Sequence, residues 1–205
     1  SKIVDPDDHL TWYRAFGRDT LLKVEYVNQF ESTAVVIDSV NYLLVPAQKS
    51  PHPPFDSLDH YKAYRIKNPP LLDRPVQLDD QFDLTPENIT SLKPVYFLTP
   101  CQKNLEPTYD LQTHYVAYKI EPMTSSAESR TIIDQFFQTP GIVVNVLNSE
   151  FLLVPTRKIS VGPPPECSDG VDNDGEGLVD FPADCGCTDA NDNSEAPNPV
   201  TQCND

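Results

Sequence analysis

The segment His60-Tyr-Lys-Ala-Tyr64-Arg65 recurs in altered form as His9-Leu-Thr-Trp-Tyr13-Arg14 and as His114-Tyr-Val-Ala-Tyr118-Lys119. The histidines are 51 and 54 residues apart. Each segment is followed in the same order by a Gln-Phe pair and by an apolar run that ends in a proline, with a lysine three residues later. The pairs begin at Gln29, Gln81 and Gln135, and the prolines are Pro46, Pro100 and Pro155. This periodicity indicates three tandem repeats, which we define as copy 1 (residues 1–53), copy 2 (54–107) and copy 3 (108–158).

Each copy is predicted to consist of β-strands. Runs such as Thr33-Ala-Val-Val-Ile37 and Ile142-Val-Val-Asn-Val146 have strand length and strand composition, and clusters of Pro, Asn and Asp separate such runs. At about four strands per copy, we expect an all-β fold whose copies form sandwich-like sheets. A pseudo-threefold trefoil or prism is the alternative. One short helix is predicted at Ser125-Ser-Ala-Glu-Ser-Arg130.

Charge divides the chain into two regions. The 205 residues carry 15 Lys and Arg against 31 Asp and Glu, a formal net charge of −16. No Lys or Arg follows Lys158, whereas 11 acidic residues do. Residues 159–165 contain a proline triplet, which is typical of a stiff spacer. We therefore predict a Pro-rich linker at residues 159–165 and an acidic tail at residues 166–205.

Composition and motifs argue against several functions. The acidic balance disfavours binding to nucleic acid or to an anionic membrane surface. No apolar run approaches the roughly 20 residues that a helix needs to span a bilayer. The sequence contains no nucleophile elbow, Gly-rich phosphate loop or His-Glu-x-x-His motif. We therefore expect a protein that is not an enzyme.

The repeat resembles a tandem β-repeat family of secreted bacterial proteins of unknown function. In that family the first strand reads His-Tyr-Lys-Cys-Tyr, and the last strand reads Leu-Cys-Val-Pro or Cys-Thr-Pro. Ala63 and Ala117 stand here where the family pattern has cysteine, which leaves Cys101 without its family partner. The resemblance implies secretion and β-structure, and it implies no particular activity.

The acidic tail contains a pattern typical of a calcium-binding loop. Asp172, Asp174 and Glu176 alternate, and Gly177 follows at the sixth position. Calcium prefers six to eight oxygen ligands, and a short loop supplies them from alternating carboxylates, a backbone carbonyl and further acids. The predicted ligands are Asp172, Asp174, Glu176, the carbonyl of Leu178, Asp180 and Asp184, with a possible second site at Asp189, Asp192 and Glu195. The alternative is a solvated, disordered acidic tail.

The stretch from Cys167-Ser-Asp-Gly-Val-Asp172 to Cys185-Gly-Cys187 is similar to the acidic calcium modules of secreted proteins, of which the thrombospondin type 3 repeats are relatives. The resemblance implies a disulfide between Cys167 and Cys187, which leaves Cys185 to pair with Cys203. A cysteine-dense module also points to an oxidising compartment, so we expect an extracellular or cell-surface location. Asn88-Ile-Thr90 is a glycosylation sequon that would carry a sugar at Asn88.

Three functional hypotheses remain from the sequence. The first is an extracellular structural or surface protein, stabilised by calcium, that self-associates through its repeats or its tail as the subunit of a filament or another assembly. The second is a secreted carbohydrate-binding or adhesive module, in which aromatic side chains stack on sugars. The aromatic candidates are Trp12, Tyr13, Tyr61, Tyr64, Tyr115 and Tyr118. The third and least favoured is a hydrolase.

Overall fold

The computed structural model describes residues 8–50, 53, 57–80, 85–120 and 124–196. These residues form an all-β structure, and its only helical element is a 3-10 turn at Glu166–Ser168. The strands are β1 (His9–Arg14), β2 (Asp19–Val27), β3 (Ser32–Lys49), β4 (His60–Ile66), β5 (Leu72–Leu78), β6 (Glu87–Cys101), β7 (His114–Lys119), β8 (Thr124–Asp134), β9 (Ile142–Asn148) and β10 (Phe151–Gly162). The predicted all-β class is confirmed.

Ten strands are described because copies 1 and 2 each join two predicted strands into one. β3 has 18 residues and β6 has 15, whereas copy 3 divides the same stretch into β9 and β10. The predicted helix at residues 125–130 is wrong. That segment belongs to β8, where Glu128 lies opposite Val146 of β9. Pairing with a β-branched neighbour therefore outweighs the local helix propensity.

The repeat is visible in the strand register. The first strand of each copy pairs antiparallel with the last strand of the same copy, and each repeated histidine lies opposite the residue that follows the repeated proline. These three pairs are His9 with Ala47, His60 with Cys101, and His114 with Thr156. The last strand of one copy also pairs with the first strand of the next, as Leu44 with Tyr61 and Leu98 with Tyr115.

Copies 1 and 3 also pair with each other through two further pairs of strands. The end of β3 pairs with β8, where Gln48 lies opposite Ile133, and the end of β10 pairs with β2, where Arg157 lies opposite Val27. Gln48 and Arg157 are equivalent in the repeat, as are Ile133 and Val27, so the exchange is reciprocal. A cyclic threefold arrangement would instead pair the end of β10 with copy 2. The pseudo-threefold alternative is therefore not realised, and six strands close into a ring in the order β2-β10-β7-β6-β4-β3.

The sheet buries apolar residues on both faces. Alternate residues of β7 belong to different clusters, because neighbouring side chains of a strand point to opposite faces. The first cluster includes Val24, Tyr26, Val35, Ile37, Ile66, Ile89, Leu92, Phe97, Val116, Tyr118, Ile120 and Val154. The second includes Leu44, Tyr61, Ala63, Leu98 and Ala117, with Leu10 and Trp12 of β1 packed against it. Ala63 and Ala117, which replace the family's cysteines, are fully buried.

The tail begins close to the sheet. β10 continues through residues 159–162 and pairs there with β2, for example Val161 with Val24. Strand pairing thus extends into the predicted linker, and the proline triplet at 163–165 follows it. The Lys67 ammonium donates to the Ser168 carbonyl over 3.3 Å, and a cleft of about 270 Å³ separates residues 33–36 from Ser168 and Asn191. The tail therefore contacts the β-repeat region beside β3.

Candidate metal centre

The loop from Asp169 to Asp180 is folded around its own carboxylates. Asp172 accepts hydrogen bonds from the backbone N–H groups of Gly175 (2.7 Å) and Gly177 (2.9 Å). Both glycines have positive φ angles, 79° and 99°, a conformation that residues with a Cβ adopt only with strain. Gly177, at the sixth position of the loop, thus allows the backbone to turn tightly around the Asp172 carboxylate.

Five carboxylates come together in one acidic cluster, formed by Asp172, Asp174, Glu176, Asp184 and Glu195. Oxygen atoms of Asp172, Asp174 and Glu195 lie within 4.8 Å of one another, and so do those of Asp174, Glu176 and Asp184. Asp174 belongs to both groups and joins them. The chain has no Lys or Arg beyond residue 158, so no basic side chain of the tail can balance these charges. Four of the five residues are ligands predicted for the first site.

Glu195 reaches the acidic cluster from outside the loop. Its side chain is completely buried, and its two oxygens accept hydrogen bonds from the backbone N–H groups of Asn173 (2.5 Å) and Asp180 (3.3 Å). The sequence placed Glu195 in a second site, together with Asp189 and Asp192. Nothing in its local sequence indicates that it meets the loop, because its contacts depend on how residues 181–194 fold back.

Asp184 carries a buried oxygen without a protein partner. The residue is 1% exposed, and its Oδ1 accepts a hydrogen bond from the N–H of Gly186 over 2.7 Å. Its Oδ2 is buried and has no hydrogen-bond partner among the described residues. A buried carboxylate is strongly unfavourable unless a positive charge or hydrogen bonds compensate for lost hydration. The acidic cluster therefore has the chemistry of a site for a hard divalent cation that prefers oxygen ligands.

A disulfide adjoins the acidic cluster. Cys187 lies close to Asp184 and Glu195, but its sulfur is bonded to Cys167 and is not available as a thiolate ligand. This bond confirms the pairing that the resemblance implied. Cys185 is also disulfide-bonded, and Cys203, its expected partner, lies outside the described residues. Cys101 is a free thiol, and burial raises its pKa, which disfavours the reactive thiolate.

Other predicted ligands are engaged elsewhere. The Asp180 carboxylate accepts from the N–H of Gly170 at 3.1 Å, and the Leu178 N–H donates to Glu176 over 3.0 Å. The role of the Leu178 carbonyl stays a prediction. Asp189 accepts from the Asn191 N–H (2.6 Å), and Asp192 accepts from the Thr188 hydroxyl (2.8 Å). Asp189 and Asp192 therefore each close a turn, and the structure does not gather them with Glu195.

The remaining candidate residues lie in the sheet. Tyr61 and Tyr118 are buried, and Trp12 stacks on Phe151 with ring centroids 5.4 Å apart, so these rings pack in the protein rather than forming a sugar-binding platform. The other aromatic candidates also have protein ring contacts or pack against the clusters; they are Tyr13, Tyr64 and Tyr115. Asn88 is an exposed residue of β6, where its side-chain oxygen accepts from Gln77 at 3.5 Å.

No helix in the described part of the chain is both long and apolar enough to cross a membrane.

Comparison with known proteins places the β-repeat region in a family. Neither the curated proteins nor the solved structures contain a match to the chain. A family model does match residues 9–140, which include copies 1 and 2 and most of copy 3. The chain therefore belongs to the family described as a repeat of unknown function, DUF7450.

Proposed function

We propose that this is an extracellular structural protein whose acidic tail is held in its folded form by calcium. The observation that carries the proposal is the buried, unpartnered Oδ2 of Asp184 within the acidic cluster. Carboxylate oxygens are the ligands that calcium prefers. Among the described residues no imidazole enters the cluster, and the nearby sulfur of Cys187 is in a disulfide, so the ligands that favour zinc are missing there. When bound, calcium would supply the positive charge that this group of acids otherwise lacks.

The residues of the acidic cluster would connect three separate parts of the tail. Asp172, Asp174 and Glu176 belong to the glycine-rich loop, Asp184 follows it, and Glu195 comes from beyond the disulfide. Two backbone bonds already bring these parts together, from Cys167 N–H to the Asp192 carbonyl (3.3 Å) and from Phe181 N–H to the Cys167 carbonyl (3.1 Å). A calcium ion bound by these carboxylates would therefore stabilise the whole tail rather than a single turn.

The disulfide and the calcium chemistry support the proposed location outside the cell. Disulfides persist in oxidising compartments, and extracellular calcium modules typically bind with dissociation constants of about 10⁻⁴–10⁻³ M. We assign the tail a stabilising role because its carboxylates gather in one acidic cluster with the buried Asp184 and Glu195. A carbohydrate-binding role has less support, because the sequence's candidate rings pack within the sheet.

Limited proteolysis tests this proposal. The tail has no Lys or Arg for trypsin, so we choose a protease that cleaves after glutamate, with Glu176 as the reporter site. We expect calcium at about 10 mM to slow cleavage at Glu176 by about 10- to 100-fold relative to chelator, because such affinities stabilise the folded state by about 1.4–2.7 kcal/mol. Fragments are measured by mass spectrometry after reduction of the disulfides.

Two controls make the result specific. Trypsin cleavage after the exposed Arg18, which lies between β1 and β2, should proceed at the same rate with calcium and with chelator, because Arg18 lies outside the tail. Magnesium at the same concentration should protect Glu176 much less, since it demands a smaller octahedral site. Equal cleavage at Glu176 with calcium and with chelator would refute the proposal.

A further inference from the structure

Copies 1 and 3 are joined by the same contact made twice. Tyr13 of copy 1 donates from its hydroxyl to Asp134 of copy 3 over 2.6 Å. In the reverse direction, Asn28 of copy 1 donates from its side-chain amide to the hydroxyl of Tyr118 of copy 3 over 2.9 Å. Tyr13 and Tyr118 are equivalent in the repeat, and so are Asn28 and Asp134. Together with the exchanged strand ends, these contacts define a reciprocal interface between two copies.

Copy 2 contains the equivalent strands and residues, but among the described residues they form no such interface. β5 is the equivalent of β2 and β8, and it pairs only with β6. β6 ends at Cys101, two residues before Lys103, whereas Lys49 and Lys158 at the equivalent position lie within strands. Within the described part of the chain, Tyr64 makes no side-chain hydrogen bond of the kind that Tyr13 and Tyr118 make.

The unpaired parts of copy 2 are accessible. Asp79 and Gln102, which correspond to the paired Val27 and Arg157, are both exposed. An unpaired strand edge presents backbone donors and acceptors that another chain can complete. Pro75 lacks a backbone N–H and would block strand pairing at its own position. It lies before residues 78–80, which correspond to the residues of copy 3 that pair with the end of β3.

We propose that a second copy of this chain binds at copy 2, so that β6 of each molecule extends along β5 of the other. In the contact between copies 1 and 3, the end of the last strand of each copy pairs with the second strand of the other. The two surfaces therefore fit each other, and the contact is reciprocal. Two identical surfaces with reciprocal contacts form a closed dimer with twofold symmetry. In the equivalent register, Gln102 lies opposite Asp79 of the other molecule.

Charge favours the same occupant. Asp79 directly follows β5, and Lys103, whose ammonium also contacts Glu106 at 2.9 Å, lies on the extension of β6. In the equivalent register these opposite charges are neighbours, which disfavours wrong registers more than it adds affinity. The interface contains no residue of the acidic cluster, so the dimer and the calcium proposal can fail independently.

Cysteine cross-linking tests the dimer. In a Cys101→Ser background, Gln102→Cys and Asp79→Cys are combined and the protein is oxidised mildly. We expect the monomer band to be lost to a disulfide-linked dimer on a non-reducing gel, because the equivalent pairs Gln48–Ile133 and Arg157–Val27 are direct cross-strand partners. In the matched control, Asp73→Cys within β5 replaces Asp79→Cys, and we expect this variant to stay monomeric.

Sedimentation of the unaltered protein provides an independent measurement. We expect a species of twice the 23.0 kDa chain mass that dissociates on dilution. A monomer at every soluble concentration would overturn the proposal. So would a dimer whose Gln102→Cys/Asp79→Cys variant forms no intermolecular disulfide, because the copies would then associate elsewhere, for instance through β9, whose Val143 and Leu147 are exposed.

Discussion

At the scale of single residues, Asp184 and Glu195 differ from the other members of the acidic cluster because they are buried. The loop acids Asp174 and Glu176 are exposed and retain much of their hydration. Asp184 and Glu195 have lost theirs, and only Glu195 is compensated at both oxygens by backbone N–H groups. The free energy gained on cation binding should therefore depend most strongly on Asp184.

Replacement of Asp184 by Asn should have opposite effects with and without calcium. The variant removes a buried charge, so we expect the metal-free tail to become more resistant to cleavage at Glu176. It also removes a ligand oxygen, so the calcium affinity measured by titration calorimetry should fall by at least about tenfold.

Asp189→Asn is the matched control for this substitution. The Asp189 carboxylate closes a turn with the Asn191 N–H and does not belong to the acidic cluster. We expect this variant to bind calcium with nearly unchanged affinity. Equal losses in the two variants would show that binding is a general response to tail charge rather than a property of the acidic cluster.

At the scale of strands, hydrogen-bonded tyrosines reinforce the ring of strands where copies 1 and 3 meet. The hydroxyls of Tyr26 (2.7 Å) and Tyr118 (2.6 Å) both donate to Oε1 of Glu31, and both rings are fully buried. Burial, followed by the bonds to Glu31, raises the pKa of each phenol far above its ordinary value. Both tyrosines therefore remain neutral donors, and the network joins β2 to β7 across the ring.

Tyr118→Phe should destabilise the β-repeat region much more than Tyr64→Phe. The first substitution removes a donor to a carboxylate and an acceptor for Asn28, so we expect a loss of about 1.5–3 kcal/mol. The second is at the equivalent position in copy 2, where the hydroxyl has no hydrogen-bond partner among the residues that the structure describes, and we expect a change within about 0.5 kcal/mol. Urea denaturation followed by tryptophan fluorescence measures both, and equal losses would contradict the assigned role of the network.

At the scale of the whole molecule, two kinds of structure stabilise two parts of the chain. The β-repeat region buries apolar clusters on both faces of its sheet, whereas the tail has few large apolar residues and is held by disulfides and polar contacts. Trp12, the only tryptophan, lies in β1 against the second cluster. Its fluorescence therefore reports on the sheet and not on the tail.

We expect calcium to stabilise the tail without stabilising the sheet. Hydrogen exchange measured by mass spectrometry should slow in residues 166–196 when calcium is added, because folded-state binding reduces local opening. The melting temperature from Trp12 fluorescence should remain the same. A melting temperature that rises with calcium, with no change in exchange of the tail, would place the stabilising ion in the β-repeat region instead.

The sequence determined the features that depend on local pattern. Strand-like apolar runs and the recurring His, Gln-Phe and Pro residues predicted an all-β chain of three copies. The spacing of Asp172, Asp174 and Glu176 with Gly177 predicted an acidic loop. Such features are readable because neighbours in sequence fix them: strand alternation has a period of two, and a tight turn needs a residue that tolerates positive φ. The resemblance added the pairing of Cys167 with Cys187.

Only the tertiary structure decided which distant parts meet. It places Glu195 in the acidic cluster, and Asp189 and Asp192 in separate turns. It also pairs copy 1 with copy 3, whereas the equivalent edge of copy 2 is unpaired among the described residues. The three repeats carry the same recurring residues in the same order, so this local pattern does not distinguish these roles. The difference arises because closing the ring of strands pairs the edges of copies 1 and 3 with each other, and this closure leaves the equivalent edge of copy 2 without a strand partner among the described residues.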